Sequence, residues 1–485
     1  MDLAAKQKIL MACAAFIIVL ACFAVYSTSF GNTFIFDDIG QILNNEGIKS
    51  FKNIPAVFTH HLTFFASKST DQDQGKFYRP IQSITLMLDN LLWGKEPFGY
   101  HLTNTMLHAI VCVLAFFFFL KITDRFWVSL MAGLLYAVHP LHTEAVTYIS
   151  GRADSLCTIF LFFMIIFQRL YRSRTSIIAK AFYYILVSIS FTLALLSKEY
   201  SMIFPFLLML CGYFLDNDKG YSSCFNKKII FYLPLFIIMG IWFVVKNAIV
   251  ATETMVEEPA SLATRLTTIP RLIYDYIRLS VFPTDLHMGY KLEFPRSLLQ
   301  SGYFGPFIFT FLFTVFFIYT LLRGRRDRDY RIVGFGLSWF LLALLPYLNL
   351  IFQLNAPFAE HWIYVPAVGL ALSVVYITYI AVRKRPVVKR ASIFLFAMFF
   401  VAFSYKTMQQ NLVWKDSFTF YSYTVKYAPF SESIYNNLAI EYIKNQEWDE
   451  AMKCLKRALE INPDYLPAKD NLRQLEADPR RRGMS

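Results

Sequence analysis

The chain has 485 residues, of which 56% are hydrophobic, 17% charged and 50 phenylalanine. This excludes an ordinary water-soluble domain, whose composition is far more polar. The formal net charge of +13 does not signal nucleic acid, because the basic residues gather in alternate connections between apolar runs.

Apolar runs of about 17–25 residues can each cross a bilayer. In chain order they lie near 8–28, 101–121, 126–143, 154–170, 177–196, 200–215, 229–250, 303–322, 332–352, 364–382 and 391–407. They predict an all-α polytopic membrane protein with about eleven transmembrane helices. Pro140 interrupts the third run, and the sixth is short. No small-residue cleavage site follows the first run, which reads as a retained span.

Lys6 and Lys8 precede the first run, and Lys121 and Arg125 follow the second. Arg169, Arg172, Arg174 and Lys180 come next, then Lys219, Lys227 and Lys228. Arg323, Arg325, Arg326, Arg328 and Arg331, and finally Arg383, Lys384, Arg385, Lys389 and Arg390, close the series. Cytoplasmic connections carry such an excess, so the N-terminus is expected in the cytoplasm. An odd span count then puts the C-terminus outside. Residues 29–100, 139–154, 197–199, 251–302, 354–362 and the chain from 407 would share that outer face.

The first outer loop, 29–100, opens with Asp37 and Asp38. Adjacent carboxylates raise one another's pKa and favour a general base or a cation site. A helix N-cap or solvated turn is the plainer alternative. Ile48–Phe58 reads as an interfacial helix, followed by His60-His61, a polar stretch at 67–76, and Phe77-Tyr78-Arg79-Pro80. Further on, His139-Pro140-Leu141-His142-Thr143-Glu144 and Ser150-Gly151-Arg152-Ala153-Asp154 crowd one membrane exit. Arg152 there either pairs with Asp154 or Glu144, or holds a ligand. His and carboxylate also suit a divalent ion, although His139 and His142 lack a standard ligand spacing. Lys198-Glu199 and Glu360-His361-Trp362-Ile363-Tyr364 mark two more outer exits. Charge so placed is costly unless paired or functional. Trp362 and Tyr364 also fit an interfacial aromatic belt. The seven cysteines form no Cys-x-x-Cys pair and indicate neither a disulfide framework nor a zinc site.

The tail changes character after residue 407. Residues 432–465 fit the 34-residue tetratricopeptide pattern, with Tyr435, Leu438, Ala439, Tyr442, Ala451, Leu455, Ala458 and Pro463 at the signature positions. Trp414–Pro429 reads as the second helix of a degenerate preceding repeat, and Leu466–Ala477 as the start of another. One repeat cannot bury its faces alone, so it must pack on neighbouring segments or on another chain. The repeat either binds a protein partner or serves as a structural cap. Residues 478–485 read as a frayed polar end.

The runs His-Pro-Leu-His-Thr-Glu-Ala-Val (139–146), Gly-Arg-Ala-Asp (151–154) and Ser-Lys-Glu (197–199) together resemble the TMTC-type transmembrane O-mannosyltransferases and their prokaryotic relatives. Phe36-Asp37-Asp38, Tyr78-Arg79-Pro80 and Ala359-Glu360-His361 match the same pattern, as does a membrane domain (1–407) followed by a repeat segment (408–485). The family pattern often has Arg where this chain has His361, and its members commonly carry many repeats. The resemblance implies a GT-C-like bundle that moves a sugar, mannose or another hexose, from a polyprenyl-phosphate donor to a hydroxyl acceptor. That acceptor is a protein Ser or Thr, or a glycan.

In that reading Asp38 is the catalytic base, and Asp37 orients the acceptor or shares a divalent metal ion with Asp38. Arg79, Arg152 and Lys198 hold the donor phosphate. His142, Glu144, Asp154, Glu199, Glu360 and His361 complete the cavity. One base and direct displacement imply inversion, and a monophosphate leaving group makes the metal optional. Lacking an ER-retention tail and having a short repeat region, the chain is expected in a bacterial or archaeal plasma membrane, or in the ER membrane of a eukaryote. The rival classes are a flippase for a polyprenyl-linked sugar, which would need ionisable groups at the midplane and internal repeats, and a membrane scaffold, which leaves the acidic cluster without a purpose.

Overall fold

Proline placement sets where many of the helices begin. Pro80, Pro97, Pro366 and Pro386 each occupy the first helical turn, where a missing N–H costs nothing. The structure is a computed structural model that describes residues 3–65, 77–216, 225–250, 260–291, 302–350, 353–354 and 356–478. Its helices are α1 (Leu3–Tyr26), α2 (Ile54–Val57), α3 (Pro80–Trp93), α4 (Pro97–Thr123), α5 (Phe126–Ala137), α6 (Thr143–Val146) and α7 (Ala153–Ser173). Then come α8 (Ile177–Leu195), α9 (Phe204–Asp216), α10 (Phe225–Ile249), α11 (Leu262–Val281), α12 (Phe304–Gly324), α13 (Arg328–Leu344), α14 (Pro366–Val382) and α15 (Pro386–Val413). The tail holds α16 (Ser417–Thr424), α17 (Glu432–Lys444), α18 (Trp448–Ile461) and α19 (Leu466–Ala477). The described residues contain no strand.

Among the described residues, eight segments are long and apolar enough to cross a membrane: Ala5–Ser29, Pro97–Thr123, Ile149–Ser173, Ile177–Leu195, Ile230–Ile249, Phe304–Gly324, Arg328–Tyr347 and Pro386–Val413. The other three expected spans fall on shorter apolar helices, Phe126–Ala137, Glu199–Phe214 and Pro366–Val382. Large apolar side chains such as Phe16, Ile178, Phe311 and Phe394 stay exposed on the long helices, as a lipid-facing surface requires. Inside, Phe116, Phe119, Phe162, Phe191 and Trp339 belong to one core that joins the bundle. The tightest crossing is between α13 and α14. A Cβ on Gly369 would lie 2.3 Å from the Gly336 carbonyl oxygen, so only glycine permits that approach.

Basic loops meet at one end of the bundle. Arg328 pairs with Asp124, Arg383 with Asp329 at 2.6 Å, and Arg125 lies over Tyr379. The opposite end is built from short 3₁₀ turns, including 46–49, 140–142, 149–152, 199–203 and 360–363. The expected interfacial helix over 48–58 is not continuous. Extended Ser50 breaks it and caps Lys52 with its hydroxyl, leaving 3₁₀ turns and the single turn α2. His60 and His61 pack on Phe64. The polar stretch 67–76, Lys219, the side chains of Lys227 and Lys228, and residues 251–259, 292–301 and 479–485 lie outside the described residues.

Helix α15 passes residue 407 without a break, so the membrane and tail segments share it. The degenerate half-repeat expected at 414–429 is the eight-residue α16. The full repeat is α17 and α18, with Ser431 capping the Ile434 N–H. Helix α19 spans the expected Leu466–Ala477. Ala439, Ala451, Leu455, Ala458, Ala468 and Leu475 fill the repeat's interior.

Candidate active site

Asp38 sits in a loop beyond the end of α1 and is 1% exposed. Its Oδ1 accepts hydrogen bonds from the Ser150 N–H at 2.9 Å and the Ser150 hydroxyl at 2.6 Å. Its Oδ2 accepts from the Ile35 N–H at 3.4 Å. The carboxylate does not cap the turn that follows it, so the N-cap alternative is removed. Burial raises its pKa to about 7, against the Ser150 and Ile35 hydrogen bonds that lower it, with nearby Asp37 adding to the rise. Asp37 is half-buried beside the Tyr148 hydroxyl. Phe36 before it has φ +50°, a left-handed conformation that is uncommon for a bulky residue.

Neutral side chains hold the segment that carries Ser150. Gln82 of α3 donates to Gln41 Oε1 at 3.1 Å and to the Ser150 carbonyl at 3.0 Å. Asn104 of α4 donates to the carbonyls of Val146, Tyr148 and Ile149 at 3.0, 3.3 and 3.2 Å. A Cβ on Gly151 would meet the Glu144 carbonyl oxygen at 2.3 Å. Glycine therefore lets 149–152 cross directly over α6, which delivers Ser150 to Asp38.

The cationic residues form a second group on the same loops. Arg79 grips Glu199 with its fork, Nε to Oε1 at 3.2 Å and to Oε2 at 3.1 Å, and Nη2 to Oε2 at 2.9 Å. Lys198 Nζ donates to Asp154 Oδ1 at 2.6 Å. Lys198 and Glu199 are thus not each other's partners. The Ile81 N–H donates to the Leu196 carbonyl at 3.1 Å and ties the two loops together. Lys198 also lines a small cavity with Tyr200, Ile203, Phe204, Tyr347 and Val365.

Arg152 departs from expectation. It is fully buried, and its Nη1 pairs with Asp89 of α3 at 2.6 Å, not with Asp154 or Glu144. Sequence reasoning missed Asp89. Its one signal was an acid inside an apolar helix, which must find a partner.

A third group closes the site. Glu144 accepts from His361 twice, at Oε1 from Nδ1 at 2.9 Å and at Oε2 from the backbone N–H at 2.9 Å. Burial would raise its pKa, but His361 beside it holds it below the ordinary value. Glu360 accepts from the His287 N–H at 2.7 Å and the Tyr290 hydroxyl at 2.6 Å. Burial and neighbouring Glu144 hold its pKa well above the ordinary value. The pKa values of these two acids are thereby pushed in opposite directions. His142 is buried with Nδ1 2.9 Å from the Tyr136 carbonyl oxygen and no hydrogen-bond partner at Nε2.

A divalent ion does not fit the Asp37–Asp38 pair well. Both Asp38 oxygens accept protein hydrogen bonds, and no third His, Cys, Asp or Glu joins the pair among the described residues. His139 uses Nδ1 on the Leu141 N–H and Nε2 on the Ser280 carbonyl. In the bundle, donor atoms of Cys22, His108 and Cys112 lie within 4.8 Å of one another. His108, however, already engages the Tyr364 hydroxyl at 2.7 Å and the Ala137 carbonyl at 3.1 Å.

Residues 433–465 match the tetratricopeptide repeat family. The chain is 25% identical to Protein O-mannosyl-transferase TMTC3 of Mus musculus, covering 94% of this chain and 52% of that protein. It is 26% identical to Protein O-mannosyl-transferase F38B6.6 of Caenorhabditis elegans, covering 91% of this chain and 61% of that one. The chain thus spans about half the length of the curated relatives it matches. Among solved structures, the archaeal oligosaccharyltransferase AglB from Archaeoglobus fulgidus aligns with a TM-score of 0.41 and 12% identity, covering 84% of this chain and 56% of that one. No residue correspondence follows at that level. Through most of its length the chain is similar to the TMTC-type protein O-mannosyl-transferases, and it carries a tetratricopeptide repeat.

Proposed function

We propose that the chain is a GT-C-type membrane glycosyltransferase. It transfers mannose or another hexose from a polyprenyl-phosphate donor to a protein Ser or Thr hydroxyl on the outer or lumenal membrane face. The observation that carries this reading is Asp38: a buried carboxylate with its pKa near 7, held by Ser150 on the segment whose Asp154 holds Lys198, next to the Glu199 that holds Arg79. The names of the relatives support it.

In the reaction the acceptor hydroxyl gives its proton to Asp38 while its oxygen bonds the anomeric carbon. The bond from that carbon to phosphate oxygen breaks, the configuration inverts, and polyprenyl phosphate leaves. Asp37 orients the acceptor. Lys198 and Arg79 stabilise the leaving phosphate, exchanging Asp154 and Glu199 for it. No step runs through a metal. The N-terminus lies in the cytoplasm, and the acidic end faces outward.

The test is Asp38→Asn on purified protein, with a short-chain polyprenyl-phosphomannose and a Ser/Thr peptide. Loss of a general base is worth ~10²–10⁴ in rate. Donor binding should persist, because the carboxylate does not touch the phosphate. For the parent chain at saturating donor, turnover should rise as pH passes about 7, since only the ionised carboxylate accepts a proton. Near-normal turnover in the variant, or a flat pH profile, would remove Asp38 from the chemistry.

A further inference from the structure

The Asp38 loop does not support itself. The last turn of α15 lies against both segments that make the Asp38–Ser150 contact. Asn411 is fully buried. Its side-chain amide donates to the Val25 carbonyl at 2.8 Å and to the Thr28 hydroxyl at 2.9 Å. Its side-chain oxygen accepts from the Thr147 hydroxyl at 2.6 Å, and its backbone carbonyl accepts from the Asn32 amide at 2.9 Å. One residue therefore fixes the end of α1, the approach to Asp37 and Asp38, and the approach to Ser150.

An aromatic stack continues the support three residues later. Trp414 stacks on Tyr148, with centroids 5.3 Å apart and planes 24° apart. Phe420 of α16 lies 4.8 Å from Trp414 and 6.2 Å from Phe36, and Phe36 lies 6.3 Å from Tyr148. The Thr33 N–H donates to the Lys415 carbonyl at 2.8 Å. Ile434 and Leu438, on the first helix of the repeat, belong to the same cluster as Ile35, Tyr148, Trp414 and Phe420. Phe36 holds its positive φ inside this ring of contacts. Such a backbone persists only where the surroundings over-determine it.

We infer that Asn411 and Trp414 are positioning residues for Asp37 and Asp38, and that the tetratricopeptide segment braces that loop through them. This rests on the glycosyltransferase reading above. Polar ties to Asn411 set where the two loops meet. Trp414 and Phe420 keep water from Tyr148 and Phe36, and the repeat backs Phe420. The repeat is then part of the catalytic framework, whatever else it binds.

The experiment uses the full chain, a short-chain polyprenyl-phosphomannose and a Ser/Thr peptide, with Asn411→Leu, Trp414→Ala, Trp414→Phe and Ile434→Ala. Misplacing a catalytic group by about 1 Å costs ~100-fold. Asn411→Leu and Trp414→Ala should lower kcat by roughly 10- to 100-fold and leave donor binding within about twofold. Trp414→Phe should recover most of the loss, and Ile434→Ala should move kcat in the same direction by less. The midpoint of the pH profile should fall in the two severe variants as water reaches Asp38. Asp37 and Tyr148 are the titratable groups beside it.

Unchanged kcat and pH midpoint in Asn411→Leu and Trp414→Ala, with Asp38→Asn inactive, would overturn the inference and leave the glycosyltransferase reading standing. Active Asp38→Asn would instead overturn that reading. Loss of donor binding in step with kcat would mark a general packing defect and also count against the inference. If Asn411→Leu does not fold, the contrast between Trp414→Ala and Trp414→Phe decides alone.

Discussion

Arg152 and Asp89 show how a buried charge is tied to one partner. Removing one member of a buried pair leaves the other uncompensated, at about 3–5 kcal/mol. Asp89→Asn should therefore lower protein yield and the unfolding temperature in detergent, and Asp89→Leu with Arg152→Met should recover much of both. A normal melting temperature in Asp89→Asn would mean the pair is not the anchor its 2.6 Å contact implies. Asp38, Arg79, Lys198 and Glu199 were legible in the sequence because charge stands out in an apolar chain. Their partners were not. Lys198 and Glu199, or Arg152 and Asp154, are neighbours in sequence, yet residues one or two apart on a turn do not face each other. Ser150, Gln82 and Asn104 were hidden for a different reason. A neutral polar residue in a loop looks the same whether it holds a catalytic group or only water.

The elements at the end opposite the basic loops are short turns that cross at close range, and their accuracy depends on small residues. Gly151→Ala would force the 149–152 turn off the Glu144 carbonyl, since the added carbon would lie 2.3 Å away. Displacements of this kind typically cost 1–3 kcal/mol. Ser150 would retreat from Asp38 with the turn. Transfer should fall more than membrane insertion does, as measured by turnover per mole of monodisperse protein. Full turnover in Gly151→Ala would show that the turn has slack. Long helices were readable from apolar periodicity and length. The broken segment at 46–57 was not, because its apolar spacing fits a helix while Ser50, extended and capping, stops it.

For the whole molecule, the segregation of charge predicts topology. With Cys13 and Cys454 replaced by Ser, a cysteine at Lys453 should react with an impermeant thiol reagent in intact cells. One at Ser173 should not. The reverse pattern would turn the molecule over and move the acidic end to the cytoplasm. Eight segments among the described residues meet both length and apolarity. The shorter helices α5, α9 and α14 were readable as apolar runs, but length alone does not say whether they cross. The tail was readable as a repeat because its alanines and aromatics keep a fixed spacing. That it packs on the Asp38 loop was not, since the cluster that holds both Ile35 and Leu438 joins residues some 400 apart in sequence.

The end of the bundle opposite the basic loops keeps its charges in closed couples: Arg79 with Glu199, Lys198 with Asp154, and His361 with Glu144. On the proposed reading, a donor phosphate that takes Lys198 or Arg79 displaces Asp154 or Glu199, and burial of a carboxylate without its cation favours the protonated form. Donor binding is then linked to proton uptake, and acid strengthens it. Asp38 asks for the opposite, because it must be ionised to work. With donor scarce, the two demands pull against each other, and turnover per donor encounter peaks in a narrow interval of pH instead of reaching a plateau. On that reading the same couples would make this membrane protein sensitive to the acidity of the compartment it faces.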